Sequence, residues 1–350
     1  LVFSSLETST GFILINNSDV KEKTALKQCD IQTLINFTTL INKKKLVLFC
    51  LICIGEIVHA QSLTDGVFMP KNSFCGGLMY THEQWRNYWE GTLKRENLNL
   101  GNVSTQSVNI MAVYGITNRL NVVLNTPYVW THASAGTLAG MKGIQDLSVG
   151  LKFKAFDLSI LGGQLVGSAI GGITTPLTNY TPDFLPLSIG LQSRTLFGRG
   201  MLYYQHESGL SLTIQGTYIN RNNIKLDRIA YFTTQQINSR EVAIPNVVNY
   251  SARAGYYTYR IAAEAFYEHN ESLGGFDIRR NDMPFPSNNM DVTRLGLLAH
   301  YRFKALADVQ IVAIAARVVS GRNVGQTSTF MIGLTKALDF NKKPASGLKK

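Results

Sequence analysis

The chain has 350 residues and a formal net charge of +11, and it is 45% hydrophobic but only 16% charged. That length fits one large domain or two small ones. Of its four cysteines, Cys29, Cys50 and Cys53 precede residue 61, so a chain processed there keeps Cys75 alone, which excludes a disulfide framework and a cysteine-based metal site.

The first recognisable element is "KKKLVLFCLICIGEIVHAQS", residues 43–62. A basic cluster, an apolar run from Leu46 to Ile54 and a Val58-His59-Ala60 end follow in the order of a secretory leader. The apolar run is too short to span a bilayer as a helix, which needs about 20 residues. The spacing predicts a signal peptide over 43–60 and a mature chain from Gln61; no methionine precedes Met69, so residues 1–42 read as upstream sequence or a mis-assigned start. Nearly all of the positive surplus stays with residues 61–350, the predicted barrel domain.

From residue 78 onward the dominant period is two. "VNIMAVY" sets Val108, Ile110, Ala112 and Tyr114 against Asn109 and Met111, and "LNVVLNTPYVW" sets Leu120, Val122, Leu124, Tyr128 and Trp130 against Asn121, Val123 and Asn125. "DLSVGLKFK", "LSLTIQGTY", "TRLGLLAHYRF" and "TFMIGLTKAL" continue the pattern. One face is apolar and the other small, polar or charged. In a soluble sandwich the apolar face meets a second sheet; in a membrane barrel it meets lipid.

Three features favour the barrel. The candidate strands run near ten residues, the length of a tilted membrane strand rather than the five or six of a soluble one. Aromatics (Trp85, Trp89, Tyr128, Trp130, Tyr203, Tyr204, Tyr256, Tyr257, Tyr259, Tyr301) fall toward strand ends, as an interfacial girdle requires. Short links at 115–118, 156–160, 206–209, 257–260 and 304–308 alternate with long ones at 91–102, 131–145, 175–190, 221–245 and 271–291. The expected fold is all-β: an up-and-down antiparallel transmembrane barrel of about twelve strands, the first near 78–90 and the last near 326–338, with both termini periplasmic. "LSIGLQSRTLFGRGMLYYQ", from Leu187 to Gln205, exceeds one strand, so part of it is expected to fold into the lumen; glycine-rich "LGGQLVGSAIGGITTPL" is a candidate kink.

Strand parity turns Lys152, Lys154, Arg253, Arg294, His300 and Arg302 toward the lumen, with Glu264 and Glu268 as candidate partners. A basic wall favours anionic solutes; the competing reading is that facing charges pair across the lumen and fill it. The loop "GGFDIRRNDMPFPSNNMD" gathers Asp277, Arg279, Arg280 and Asp282, either as a ligand-binding lid or as a solvated, ion-paired outer loop. Arg221, Lys225 and Arg228 are candidate contacts for lipopolysaccharide phosphates. Neither a G-x-S-x-G elbow nor an H-E-x-x-H pair occurs, so no catalytic residue, metal or cofactor is assigned. The scattered positive charge argues against nucleic acid.

"YWEGTLKRENLNLGNVSTQSVNIMAVYGITNRLNVVLNTPYVWT" with "GIQDLSVGLKF" (residues 88–153), and later "GGFDIRRNDMPFPSNN", resemble a family of outer-membrane channel proteins first associated with the meta-pathway of phenol degradation, especially relatives in Bacteroidetes-type bacteria. The resemblance implies a barrel akin to transporters of hydrophobic compounds, without catalytic residues or an assigned substrate. The expected function is passive uptake of small, hydrophobic or anionic solutes across the outer membrane. The alternative is a non-conducting structural or secretion-accessory barrel, or an outer-membrane hydrolase.

Overall fold

The computed structural model describes residues 63–280, 282–303, 306 and 309–341. The upstream segment 1–42, the leader 43–60 and the expected N-terminus at Gln61 lie outside the described residues. Twelve long strands form the fold: β1 (Ser73–Trp85), β2 (Val103–Gly115), β3 (Leu120–Ala133), β4 (Asp146–Ile160), β5 (Gly163–Pro176), β6 (Thr195–His206), β7 (Leu210–Arg221), β8 (Asn246–Tyr257), β9 (Ile261–Leu273), β10 (Asp291–Arg302), β11 (Val309–Arg322) and β12 (Ser328–Asp339). Each pairs antiparallel with its chain neighbours, and β1 pairs with β12 from Ser73↔Asp339 to Gln84↔Ser328. That last ladder closes the sheet and leaves no free edge.

The start of β1 and the end of β12 lie at one end of the barrel, here the terminal end, together with the short connections. The opposite loop end carries residues 86–102, 134–145, 177–194, 222–245 and 274–290. The strands are 12 to 15 residues long, enough to cross a bilayer at a tilt and project beyond it.

Burial settles which way the alternating faces point. The exposed set is Leu297 (65%), Leu334 (54%), Ile214 (52%) and Leu124 (41%), whereas Asn121, Thr213, Gln215, Thr217, Asn249 and Ser251 are buried. Apolar outside and polar inside is the reverse of a soluble protein and the order that lipid demands. No helix among the described residues is long and apolar enough to cross a membrane; this chain crosses with strands.

Three expectations need correction. The first strand is Ser73–Trp85 rather than 78–90; "NYWE" instead forms a separate hairpin, Asn87–Glu90 with Leu93–Glu96, above the rim. The link expected at 156–160 is strand: a bulge between Lys154 and Phe156 resets the parity of β4, so Phe156, Leu158 and Ile160 face outward and the turn falls at 161–162. The aromatic girdle is smaller than expected. Tyr80, Tyr128 and Trp130 form a ring cluster near the loop end, and Tyr256, Tyr259 and Tyr301 are exposed near the terminal end. Trp85, however, packs inward beside Leu187, Trp89 is buried, and Tyr203 and Tyr257 face the lumen.

Candidate functional site

The lumen is the site, and its centre is occupied by the chain itself. Residues 63–70, ahead of β1, run inside the barrel from the strand midpoints to the terminal rim. They belong to none of the strands, and a non-strand segment inside a barrel must find donors for its carbonyl oxygens. Lys152 serves two of them: its fully buried Nζ donates to the Asp65 carbonyl (2.7 Å), the Val67 carbonyl (2.7 Å) and also the Asp65 carboxylate (3.0 Å). Arg199 donates Nη1 to the Leu63 carbonyl at 2.7 Å and Nε to Thr217 Oγ1 at 2.8 Å. Asn121 Nδ2 donates to the Met69 carbonyl at 3.0 Å. The Phe68 ring lies under the Lys152 and Lys154 ammonium groups, at 4.8 and 5.3 Å.

Two glycines make room for this course. A Cβ on Gly66 would lie 2.1 Å from the Tyr203 ring, and one on Gly115 would lie 2.0 Å from the Pro70 carbonyl oxygen. Any side chain at either position displaces the segment or the wall.

Two cavities flank the inserted residues. The one toward the loop end, about 390 Å³, is polar and charged, with Glu83, Arg199, Arg253, Glu268 and Arg294 on its wall. The one toward the terminal end, about 290 Å³, has an apolar stretch of wall from Met79, Met111, Val123, Val312 and Met331, and its polar groups include Asp65, Asn109, Asn125, Arg253, Glu264 and His300. Thr64, Arg253, Leu298, Ile314 and Met331 border both. Unbranched methionines adapt to ligands of varied shape, so the lumen pairs a predominantly polar, charged chamber with one that adds a pliable methionine-rich wall.

The charges expected on the wall meet partners. Arg294 donates to Glu268, which also accepts from Asn249 at 3.0 Å. Arg253 lies 3.8 Å from Glu264, and Glu264 accepts from the Tyr257 hydroxyl at 2.7 Å. Lys154 reaches Asp157 at 3.1 Å, and the Arg302 guanidinium sits 5.6 Å from the Tyr259 ring centroid. Sequence reading missed Arg199, which shares parity with Phe197 and Tyr203 in "TLFGRGMLYY", and Asp65, which precedes the first strand.

At the loop end, residues 177–194 fold inward. Leu187 is buried against Leu100 and Val103, and Thr131 Oγ1 donates to its carbonyl at 2.6 Å. Tyr180 donates to Asp146 at 2.7 Å and accepts from the Gln192 backbone at 2.9 Å; burial first, then the Asp146 carboxylate, push its phenol pKa up. The 274–290 loop is clasped to the rim. Asp277 accepts both arms of Arg322 at 2.7 Å and the Asn323 amide at 2.7 Å, and Asn323 Oδ1 accepts from the backbones of Gly91 and Ile278. Those contacts from Arg322, then Asn323, hold the Asp277 carboxyl below its ordinary pKa. Arg279 pairs with Asp282 at 2.9 Å, and Arg280 is exposed. Among the described residues, no group of three or more His, Cys, Asp or Glu could hold a metal ion.

No family model matches the chain, and no curated protein matches it. Solved structures do. An outer membrane channel of the COG4313 group from Pseudomonas putida F1 superposes with a TM-score of 0.64 at 14% identity, covering 79% of this chain and all of that one. The translocator domain of the autotransporter NalP from Neisseria meningitidis gives a TM-score of 0.41 at 10% identity, covering 75% of this chain and 88% of that one. The first of these is a likeness of fold: the chain has the β-barrel fold of that outer membrane channel.

Proposed function

We propose that the chain is a passive outer-membrane channel for small solutes, constricted by its own residues 63–70. The observation that carries this is the pair of cavities meeting at Thr64 inside a closed barrel, with a segment held by the side chains of Lys152, Arg199 and Asn121 between them. A structural barrel has no need of two chambers of different character. The charged chamber and the methionine chamber in series fit solutes that are amphipathic: a polar or anionic group on an apolar body. The barrel's likeness to the Pseudomonas putida channel supports the same reading, as does the resemblance of residues 88–153 to outer-membrane channels.

In this reading the leader over 43–60 directs export and is removed, the terminal end faces the periplasm, and the loop end faces the medium. Lipid surrounds the apolar wall, and Lys225, exposed on the 222–245 loop, meets outer-leaflet lipopolysaccharide. The protein is not an enzyme. Paired charges set selectivity through small imbalances rather than through an all-basic ring.

Single-channel recording on refolded residues 61–350 in planar bilayers tests this, alongside a form lacking residues 61–70. The expected result is small, discrete steps from the first and larger ones from the second. Protein that inserts and folds but stays silent in both forms overturns the channel and leaves a non-conducting structural or secretion-accessory barrel.

A further inference from the structure

Three loops meet at the loop end around a cavity of about 230 Å³ that the lumen does not include. Its wall carries four aromatic rings: Tyr231 and Phe232 from the 222–245 loop, and Phe276 and Phe285 from the 274–290 loop. Tyr231 and Phe285 stack at 5.4 Å and 27°, and Phe276 lies 6.2 Å from Phe285. Two guanidinium groups cover ring faces, Arg279 at 3.9 Å over Phe232 and Arg228 at 5.4 Å from the Phe285 centroid. Each of these cations has its own carboxylate, Asp282 for Arg279 and Asp183 for Arg228.

Rings gathered on water-exposed loops need a physical reason, because such loops are ordinarily polar. Part of the reason is internal: Tyr231 and Phe285 also pack on the buried Ile224, Leu226, Val242 and Ile244 cluster that gives the 222–245 loop its core. That accounts for one side of the rings. It does not account for the space left open between the loops, nor for Phe232, which remains 42% exposed outside that cluster.

From this we infer a binding site for small, uncharged, planar aromatic solutes. The volume is below the roughly 300–1,000 Å³ of sites for drug-sized ligands, which selects about one ring system. The rings and the guanidinium planes offer flat faces for offset stacking. Because Asp183 and Asp282 already neutralise the two arginines, an anion must displace a carboxylate to gain a charge-assisted contact, so a negative group adds no net attraction. Use of the site to gather solute ahead of the barrel rests on the channel reading; binding itself does not.

Saturation-transfer NMR on the refolded protein in micelles tests the inference with three probes of similar size: phenol, benzoate and cyclohexanol. Phenol is expected to bind, with cyclohexanol and benzoate weaker. Phe232→Leu and Phe285→Leu keep apolar bulk while removing the ring, so each is expected to weaken phenol roughly two- to tenfold with the loop fold retained. Equal binding of phenol and cyclohexanol, or unchanged phenol binding in both leucine variants, overturns the site. Conductance recorded on the same variants separates the two proposals: steps without ring-dependent binding sink the site alone, and ring-dependent binding without steps sinks the channel alone.

Discussion

Lys152→Met is the sharpest probe of the inserted segment, because methionine preserves the apolar stem and removes the ammonium. Three contacts vanish together, two to backbone carbonyls at 2.7 Å and one to the Asp65 carboxylate at 3.0 Å. Hydrogen bonds to charged groups contribute about 1.5–3 kcal/mol each, but burying the ammonium costs several kcal/mol of that gain. Removing one partner of a buried pair costs about 3–5 kcal/mol when the other stays buried. The Asp65 side chain keeps 20% of its exposure and can rehydrate once the segment loosens, so the net loss is smaller, about 2–4 kcal/mol. That shifts the ratio of seated to unseated segment by roughly 30- to 1,000-fold. The barrel itself, closed by twelve ladders, keeps its heat-modifiable migration in denaturing gels. In planar bilayers the variant is expected to show frequent excursions to the level of the form lacking residues 61–70. Excursions no more frequent than in the unaltered protein, while the deletion does open, would refute the idea that Lys152 holds the segment.

Gly66→Val acts from the other side: a side chain driven into the Tyr203 ring, 2.1 Å from the new Cβ, expels the segment and raises mean conductance, whereas Gly216→Ala, where a Cβ meets open space, leaves it unchanged. Arg294→Ala unmasks Glu268 and is expected to move reversal potentials in a salt gradient toward cation preference, and Glu268→Gln to move them toward anions; identical shifts from both would contradict the pairing. The Asp277 clasp has a defined pH sign. Its carboxyl pKa is lowered in the folded loop, so its contribution is complete above the ordinary aspartate range near 4 and is lost as pH falls through the lower folded value. Protection of residues 276–289 against hydrogen exchange, measured relative to the intrinsic rate at each pH, is expected to fall below about pH 4 in the unaltered protein, and to be equally low on both sides of that range in Asp277→Asn.

Most of the wall was legible because lipid imposes a simple rule on it. Ten of the twelve strands begin and end close to where period-two alternation predicts them, since each one-residue step exchanges a lipid-facing position for a lumen-facing one. The rule fails where the alternation is reset or absent. The β4 bulge inserts a residue that a fixed period cannot see, and β1 begins in "SFCGGLMY", where two glycines and a buried cysteine blur the pattern. The lumen was legible only as parity. Sequence placed Lys152, Arg253 and Arg294 on the inner face, but what each meets depends on contacts that cross the barrel or return from far along the chain. Lys152 and Asp65 are 87 residues apart, and nothing local to either marks the other.

The charge inventory of the lumen follows from the same geometry. An unpaired ammonium or carboxylate inside a narrow barrel loses much of its hydration, so the wall lowers its energy by pairing charges across adjacent strands, Glu268 on β9 with Arg294 on β10, and Arg253 on β8 with Glu264 on β9. Lys152 and Arg199 instead turn to the carbonyl oxygens of the inserted segment, which lies outside the strands. Each solves the other's problem: the segment's carbonyls gain donors, and the cations gain oxygens without a full complement of carboxylates. Withdrawing the segment therefore exposes more than a wider passage. It releases the Lys152 and Arg199 side chains into the lumen at the level of the strand midpoints, while Asp65 leaves with the segment. The open state accordingly carries a more positive constriction than the closed one, so the opening that Lys152→Met produces, with Arg199 alone released, has a weaker anion preference than opening by Gly66→Val, which releases both cations.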